Sequence, residues 1–217
     1  MLKANFITAQ EAAEKIQDGS TLCTIGMTLV SASESILKAI EKRFETVGHP
    51  ADITLVHSCG QSDRKDGIQH LAHEGLVKRI IGSHWGLQPR WMEMIANSQV
   101  EAYCLPQGQI AQLYRSMACG LPGKMSKVGL GTFIDPRVEG GKMNDRTKPL
   151  PDIVDILEYS GEEYMFYKEI PLDTVLIRGT VCDEMGNLTT TEEAMKLEVL
   201  PAVFWQLKDM VDALLHK

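Results

Sequence analysis

An α/β fold, a mainly parallel sheet with flanking helices, follows from three observations on this 217-residue sequence. Strand-like and helix-period segments alternate in units of roughly 25 to 30 residues through the first half, the rhythm of parallel strands joined by crossovers. Three clusters of Gly, Pro and polar residues each follow an apolar segment: Ser83-His84-Trp85-Gly86, Pro106-Gln107-Gly108 and residues 129–137. Open α/β sheets carry their ligand loops at such places. The mix of 44% hydrophobic and 24% charged residues is that of a folded globular chain, so disorder is excluded.

The elements follow in order. Thr8 with Glu11 three residues on forms a capping box, which predicts a helix to about residue 17. Asp18-Gly19 ends it, and Thr21-Leu22-Cys23-Thr24-Ile25 reads as a buried strand. Gly26 opens a turn, and Ser33 starts a helix with Ile36, Leu37, Ile40 and Phe44 on one face. His49-Pro50 breaks the chain before the strand Ile53-Thr54-Leu55-Val56. A polar loop over residues 58–67 leads into a short helix near 68–75, and residues 78–82 form the next strand. Residues 90–97 read as helix, 100–105 as strand and 108–119 as helix. The rhythm then changes. Residues 153–157, 163–167 and 174–178 are strand-like, with Ser160-Gly161 turning a hairpin between the first two. Residues 183–187 form a turn before Leu188-Thr189-Thr190, and 192–199 read as a helix stopped at Pro201. No repeat, low-complexity tract or linker divides residues 1–203, so they are read as one domain.

A net charge of −7 argues against nucleic acid or an anionic membrane surface as partner. No apolar run approaches the roughly 20 residues of a membrane span, and the first residues lack a signal peptide's apolar stretch. Cys23, Cys59, Cys104, Cys119 and Cys182 are scattered, odd in number and without CxxC spacing. Reduced thiols in a cytoplasmic protein are expected, with no metal centre.

Gly26, Met27, Thr28, Leu29, Val30 and Ser31 connect a strand to a helix. Their backbone N–H groups and the helix N-terminus can hold a carboxylate, phosphate or thioester oxygen. With no GxGxxG pattern, spacing alone does not separate this from an ordinary connection. Gln107 offers a neutral amide that can donate to an oxyanion, against the plain reading of a helix-starting turn. His70 and His73 place two imidazoles on one helix face at a metal-compatible spacing. Without an evident third ligand they read as a solvated face. His84 is assigned to packing or a backbone contact, Glu184 to a turn, and Glu162 and Glu163 to solvent beside a hairpin. No Ser/His/Asp or Cys/His pairing stands out.

Several ordered stretches carry a resemblance: residues 70–79, 82–86, 105–108, 129–137 with Gly140-Gly141-Lys142, and 176–180. Residues 183–189 and 193–198 extend it over roughly 8 to 203. On these the chain resembles the family I CoA-transferases, closest to the single-chain acetate/propionate type. The resemblance implies two related α/β halves, fused or as separate α and β subunits, with the active site between them. It implies CoA as substrate, no permanently bound cofactor, and CoA exchange between a short-chain acyl-CoA and a free carboxylate. A glutamate attacks the thioester and expels CoA thiolate. The thiolate then attacks the mixed anhydride, giving a glutamyl-CoA thioester that a second carboxylate resolves in reverse. That glutamate belongs to the second half, and nothing in this chain matches its motif. What carries over is loop 26–31, near CoA in relatives, and Gln107, facing the reacting carbonyl. Only Gly26 of the family's glycine-rich turn is kept.

The tail, residues 204–217, departs from the family. Reading its codons one nucleotide earlier forces Leu, Ala and Gly in place of Trp205, Gln206 and Val211, a family-like continuation. The expectation is therefore a frameshift after Val203, or a sequencing error, in a longer enzyme. A native helix with Leu207, Met210, Val211, Leu214 and Leu215 is the alternative. The chain is thus expected to be the α-like half of a CoA-transferase, inactive alone, partnered by a complementary β-like half or by copies of itself. A noncatalytic binding remnant and a sugar-phosphate isomerase-like domain are the other readings. The sequence does not rank the acyl substrates.

Overall fold

The computed structural model describes residues 4–196. Its centre is a five-stranded sheet built from β1 (Thr21–Thr24), β2 (Ile53–His57), β3 (Val77–Gly82), β4 (Glu101–Cys104) and β8 (Thr174–Leu176). The strand order is β4-β3-β2-β1-β8, and every pair is parallel. Buried on both faces, these strands explain the near-continuous apolar runs in the sequence.

Alternation along each strand sorts its side chains into two cores. Leu22, Leu55, Ile80 and Ala102 face one layer: α1 (Ala9–Lys15), α2 (Glu34–Val47), a 3₁₀ helix (Gly67–Leu71) and α3 (Pro89–Ala96). Cys23, Val56, Ile81 and Tyr103 face α4 (Gln107–Ala118) and a second, smaller sheet. That sheet is antiparallel, ordered β5-β7-β6 from β5 (Gly123–Ser126), β6 (Val154–Tyr159) and β7 (Glu162–Lys168). It sets Val154, Met165 and Tyr167 into the second core. A hairpin of β9 (Val181–Cys182) and β10 (Leu188–Thr189) completes the described elements.

Several local readings are met for the expected reasons. The Thr8 hydroxyl accepts from Glu11 N at 3.2 Å, while Glu11 takes the Thr8 amide at 2.7 Å, so the capping box is complete. Ser160 and Gly161 both adopt positive φ, the geometry of a tight two-residue hairpin turn. Among the described residues no disulfide joins the five cysteines. No helix among the described residues is long and apolar enough to cross a membrane.

Four readings are corrected. The first helix stops at Lys15, where the chain turns extended at Ile16. The helix near 68–75 is a single 3₁₀ segment ending at Leu71. Strand β5 was not anticipated, because Gly123-Lys124-Met125-Ser126 carries no β-branched residue and pairs only through its partner β7. Residues 192–196 are not helical, and 197–199 and the tail 204–217 lie outside the described residues. The open edge of β4 is covered by residues 141–143: Cys104 N donates to Gly141 O and Met143 N to Ala102 O. This protects the sheet from pairing with another chain.

Candidate functional site

All five parallel strands point their carboxyl ends the same way, and both site segments anticipated from sequence leave from that edge. Loop 26–31 follows β1, and Gln107 follows β4. Three strand spacings separate those two strands, about 14 Å, so the segments stand apart along that edge.

Loop 26–31 is a tight, closed turn. Met27 and Val30 exchange backbone hydrogen bonds at 3.0 and 2.9 Å, and Thr28 N donates to Gly60 O at 2.8 Å. Gly26 sits in a tight place, since a Cβ there would lie 3.1 Å from Val30 O and 3.3 Å from the Ala32 backbone, so any side chain would make the backbone give by a few tenths of an ångström. Thr28 and Ser31 hold φ of 53° and 59°, the left-handed region that glycine fills without strain. The loop thus keeps a glycine-type path with non-glycine residues. Amides of Met27, Thr28 and Val30 are spent on the fold, whereas those of Leu29 and Ser31 make no hydrogen bond among the described residues. The Ser31 hydroxyl donates to Met195 O at 3.1 Å.

Gln107 is the first residue of α4, with Pro106 as its cap at φ −61°. Its side chain is exposed and makes no hydrogen bond among the described residues. A Cβ at Gly108 would meet nothing within 4 Å, so the protein itself does not demand glycine there. The helix-start reading is met here, with Gln107 opening α4.

At the carboxyl ends of the strands lies a polar layer that the sequence pattern did not reveal. On the face where Leu22, Leu55, Ile80 and Ala102 build the first core, the next row holds Thr24, His57, Gly82 and Cys104, in register. His57 is fully buried, and burial lowers its pKa to about 4. It is therefore neutral, with Nδ1–H donating to Cys59 O at 2.7 Å and Nε2 left without a partner. Gln61 donates through Nε2 to Thr24 O at 2.8 Å, tying the loop after β2 to the end of β1. The available signal was a histidine closing an apolar strand run, with glycine at the facing position of the neighbouring strand.

His70 and His73 do not form a solvated helix face. The helix ends between them, and the His70 side chain is only 12% exposed. Its Nε2 lies 2.9 Å from Glu34 and its Nδ1 contacts Glu41, which also takes His73 Nε2 at 2.9 Å. Burial presses the His70 pKa down, but the hydrogen bonds to Glu41 and Glu34 outweigh it and raise the net value. Burial likewise pushes Glu41 up, while its bonds to His73 and His70 bring it below the ordinary carboxylate range. These carboxylates already have cations: Lys38 Nζ is 3.0 Å from Glu34 and 3.2 Å from Asp66, and Arg90 is 3.4 Å from Glu41.

The other singled-out residues have structural roles. His84 is exposed and fills the space that a Cβ on Gly86 would take. Glu184 lies in the β9–β10 turn, where Asp183 Oδ1 accepts from Met185 N and Asn187 N. Glu162 and Glu163 are exposed but paired, to Lys127 at 2.8 Å and Arg137 at 2.9 Å. Asp135, 1% exposed, organises loop 129–137 by accepting from Gly131 N and from Arg137. The Arg137 guanidinium holds its carboxyl far below the usual range. A cavity of about 500 Å³ adjoins loop 26–31, lined by Ser33, Glu34, Arg178, Thr180, Glu192 and Glu193. There Arg178 pairs with the nearly buried Glu193 at 3.2 Å.

Strand order and loops define an open, parallel α/β protein. Residues 6–206 match the Coenzyme A transferase family, and the chain belongs to it. It is 43% identical over 191 residues to the caffeate CoA-transferase of Acetobacterium woodii, covering 88% of this chain and 36% of that protein. The acyl-CoA transferase YdiF of Escherichia coli O157:H7, solved as a thioester complex with CoA, superposes with a TM-score of 0.90 at 33% identity. The match covers 98% of this chain and 42% of YdiF. Against the acetate CoA-transferase subunit alpha of Escherichia coli K12, identity is 25% over 93% of this chain and 82% of the subunit. The chain therefore spans about two fifths of the caffeate CoA-transferase and of YdiF, and most of the alpha subunit.

Proposed function

We propose that residues 1–203 are the α-like half of a CoA-transferase that moves CoA between a short-chain acyl-CoA and a carboxylate such as acetate or propionate. The observation that carries this is the paired placement at one sheet edge. A closed loop with two uncommitted amides stands after β1, and an exposed, unbonded Gln107 stands after β4. In this reading Leu29 N and Ser31 N receive an oxygen of the CoA ester. The Gln107 amide donates to the oxyanion that forms when the thioester carbonyl is attacked, adding no charge of its own. The attacking glutamate comes from a complementary β-like half, and the chain alone turns nothing over. The coverage of a stand-alone alpha subunit supports a partner of that kind. Similarity to a caffeate-acting relative leaves the acceptor acid to be assigned by assay.

The test mixes the purified chain with acetyl-CoA and propionate, alone and with the separately expressed second half of YdiF. Propionyl-CoA formed only in the mixture, and lost at least tenfold with Gln107→Ala, is the expected result. Turnover by the chain alone, or a mixture unaffected by Gln107→Ala, overturns the assignment.

A further inference from the structure

We propose that His70 is a positioning residue for loop 26–31, acting at a distance as an imidazolium clamped between Glu34 and Glu41. The proposal rests on the reading that this loop faces the CoA ester. The path is continuous in hydrogen bonds. Glu34 turns one carboxylate oxygen to His70 Nε2 at 2.9 Å and the other to Gly67 N at 2.9 Å. Gly67 is held against the chain at Gln61: its φ is 76°, and a Cβ would fall 2.1 Å from Gln61 O. Ile68 N donates to that same Gln61 O at 2.9 Å. From this short segment two bonds reach the loop, Gln61 Nε2 to Thr24 O just before it and Gly60 O from Thr28 N at its tip. Segment 60–61 thus splints the loop at its root and crest, and Glu34 fixes the segment's far end.

His70 decides whether Glu34 stays. A protonated ring has two N–H donors and satisfies both glutamates; a neutral ring has one. On losing its proton to solvent, the ring must turn a bare lone pair toward one carboxylate. Glu41 is the more buried, 18% exposed against 29% for Glu34, and is also held by His73. Glu34 is therefore the partner that swings out, releasing Gly67 N. The charged groups around the ring are Glu34, Lys38 and Glu41 on α2, Asp66 before the 3₁₀ helix, His73 after it, and Arg90 on α3 through Glu41. Three carboxylates close to the ring favour the protonated form, and Lys38, 53% exposed, is free to follow Glu34 outward.

The test uses the full chain and two NMR readouts: the His70 Cε1–H shift against pH, and Thr28 amide exchange corrected for base catalysis. Both transitions are expected to share a midpoint above the ordinary histidine value, with Thr28 exchange rising at least fivefold across it. Glu41→Gln lowers both midpoints together, and His70→Gln, which donates at every pH, removes the pH dependence of exchange. Separate midpoints, or an unchanged profile in His70→Gln, overturn the proposal; if His70→Gln does not fold, Glu41→Gln decides alone. Adding acetyl-CoA separates the two readings. Exchange that tracks His70 without acetyl-CoA protecting Thr28 supports the positioning role and refutes the CoA-facing loop. Protection by acetyl-CoA with no His70 dependence does the reverse.

Discussion

Gly82→Ala tests whether the polar layer at the strand ends is as tightly fitted as its geometry shows. Gly82 lies at the end of β3, paired with Cys104, and its carbonyl accepts from Leu105 N at 2.9 Å. Its φ is ordinary for a strand, so alanine brings no backbone strain, only a methyl group. That methyl would lie 2.4 Å from both Cε1 and Nε2 of His57 and 3.0 Å from Cδ2. Carbon contacts settle at about 3.5–4.0 Å, so the ring must retreat by more than 1 Å, roughly. It is tethered on one side by the bond to Cys59 O and backed on another by the Trp85 ring, centroids 6.0 Å apart. Overpacking of this kind costs about 1–3 kcal/mol. Loss of the tether adds about 1 kcal/mol, and the stiffer unfolded chain returns about 0.5–1 kcal/mol. A net loss of about 1–3.5 kcal/mol follows. Urea titration at pH 7 with an unchanged slope measures it, and His57→Ala in the same chain gives the added methyl its room. The double-mutant cycle should show a coupling of about 2 kcal/mol. A Gly82→Ala protein within about 0.5 kcal/mol of wild type, or a cycle without coupling, refutes the tight fit.

Two further outcomes follow from the same region. Thr28→Gly removes left-handed strain at φ 53° and should raise stability by about 1 kcal/mol in thermal melts, while leaving Gly60 O as acceptor; a destabilised variant would show that the threonine's own contacts outweigh the strain. His57 titrates near 6.5 when unfolded but at about 4 when folded. Acid therefore loads protons onto the unfolded chain first, and between pH 6.5 and 4 the native state loses about 3 kcal/mol through this group. Urea midpoints against pH should flatten over that window in His57→Gln, and an unchanged slope would refute the assignment. His70 has the opposite sign: its raised pKa contributes stability at low pH that is lost as pH rises through its folded value.

The parallel core was legible because a strand buried on both faces must be apolar throughout. Segments such as Ile53-Thr54-Leu55-Val56, set between helix-period stretches, leave few alternatives. The capping box at Thr8 and the turn at Ser160-Gly161 were legible because their chemistry is local. What escaped was set by partners distant in sequence. Strand β5 exists because β7, far along the sequence, offers it a ladder that local composition does not encode. His57 became visible only with Gly82 beside it, a pairing fixed by register rather than spacing. The His70–His73 reading failed for the same reason. Its deciding neighbours, Glu34 and Glu41, lie on α2, 36 and 29 residues away.

Loop 26–31 shows how a tight turn can hold left-handed angles at non-glycine residues. A glycine-rich loop reaches left-handed φ at little cost but gains no rigidity from its sequence. Here Thr28 and Ser31 hold those angles at an expense of about 1–2 kcal/mol each, which the surroundings must over-determine. The surroundings do so at three points: Gly60 O on Thr28 N, Gln61 on the strand end at Thr24, and Met195 O on the Ser31 hydroxyl. Two of the anchors share segment 60–61 and the third comes from residue 195, so two separate stretches of chain hold the turn. If the anchors set the conformation, replacing Gln61 by Ala should loosen a wild-type loop more than one carrying Thr28→Gly, because only the strained version needs holding. Equal loosening in both backgrounds, measured as Thr28 amide exchange, would mean that the turn is set by its own sequence and the splint is incidental.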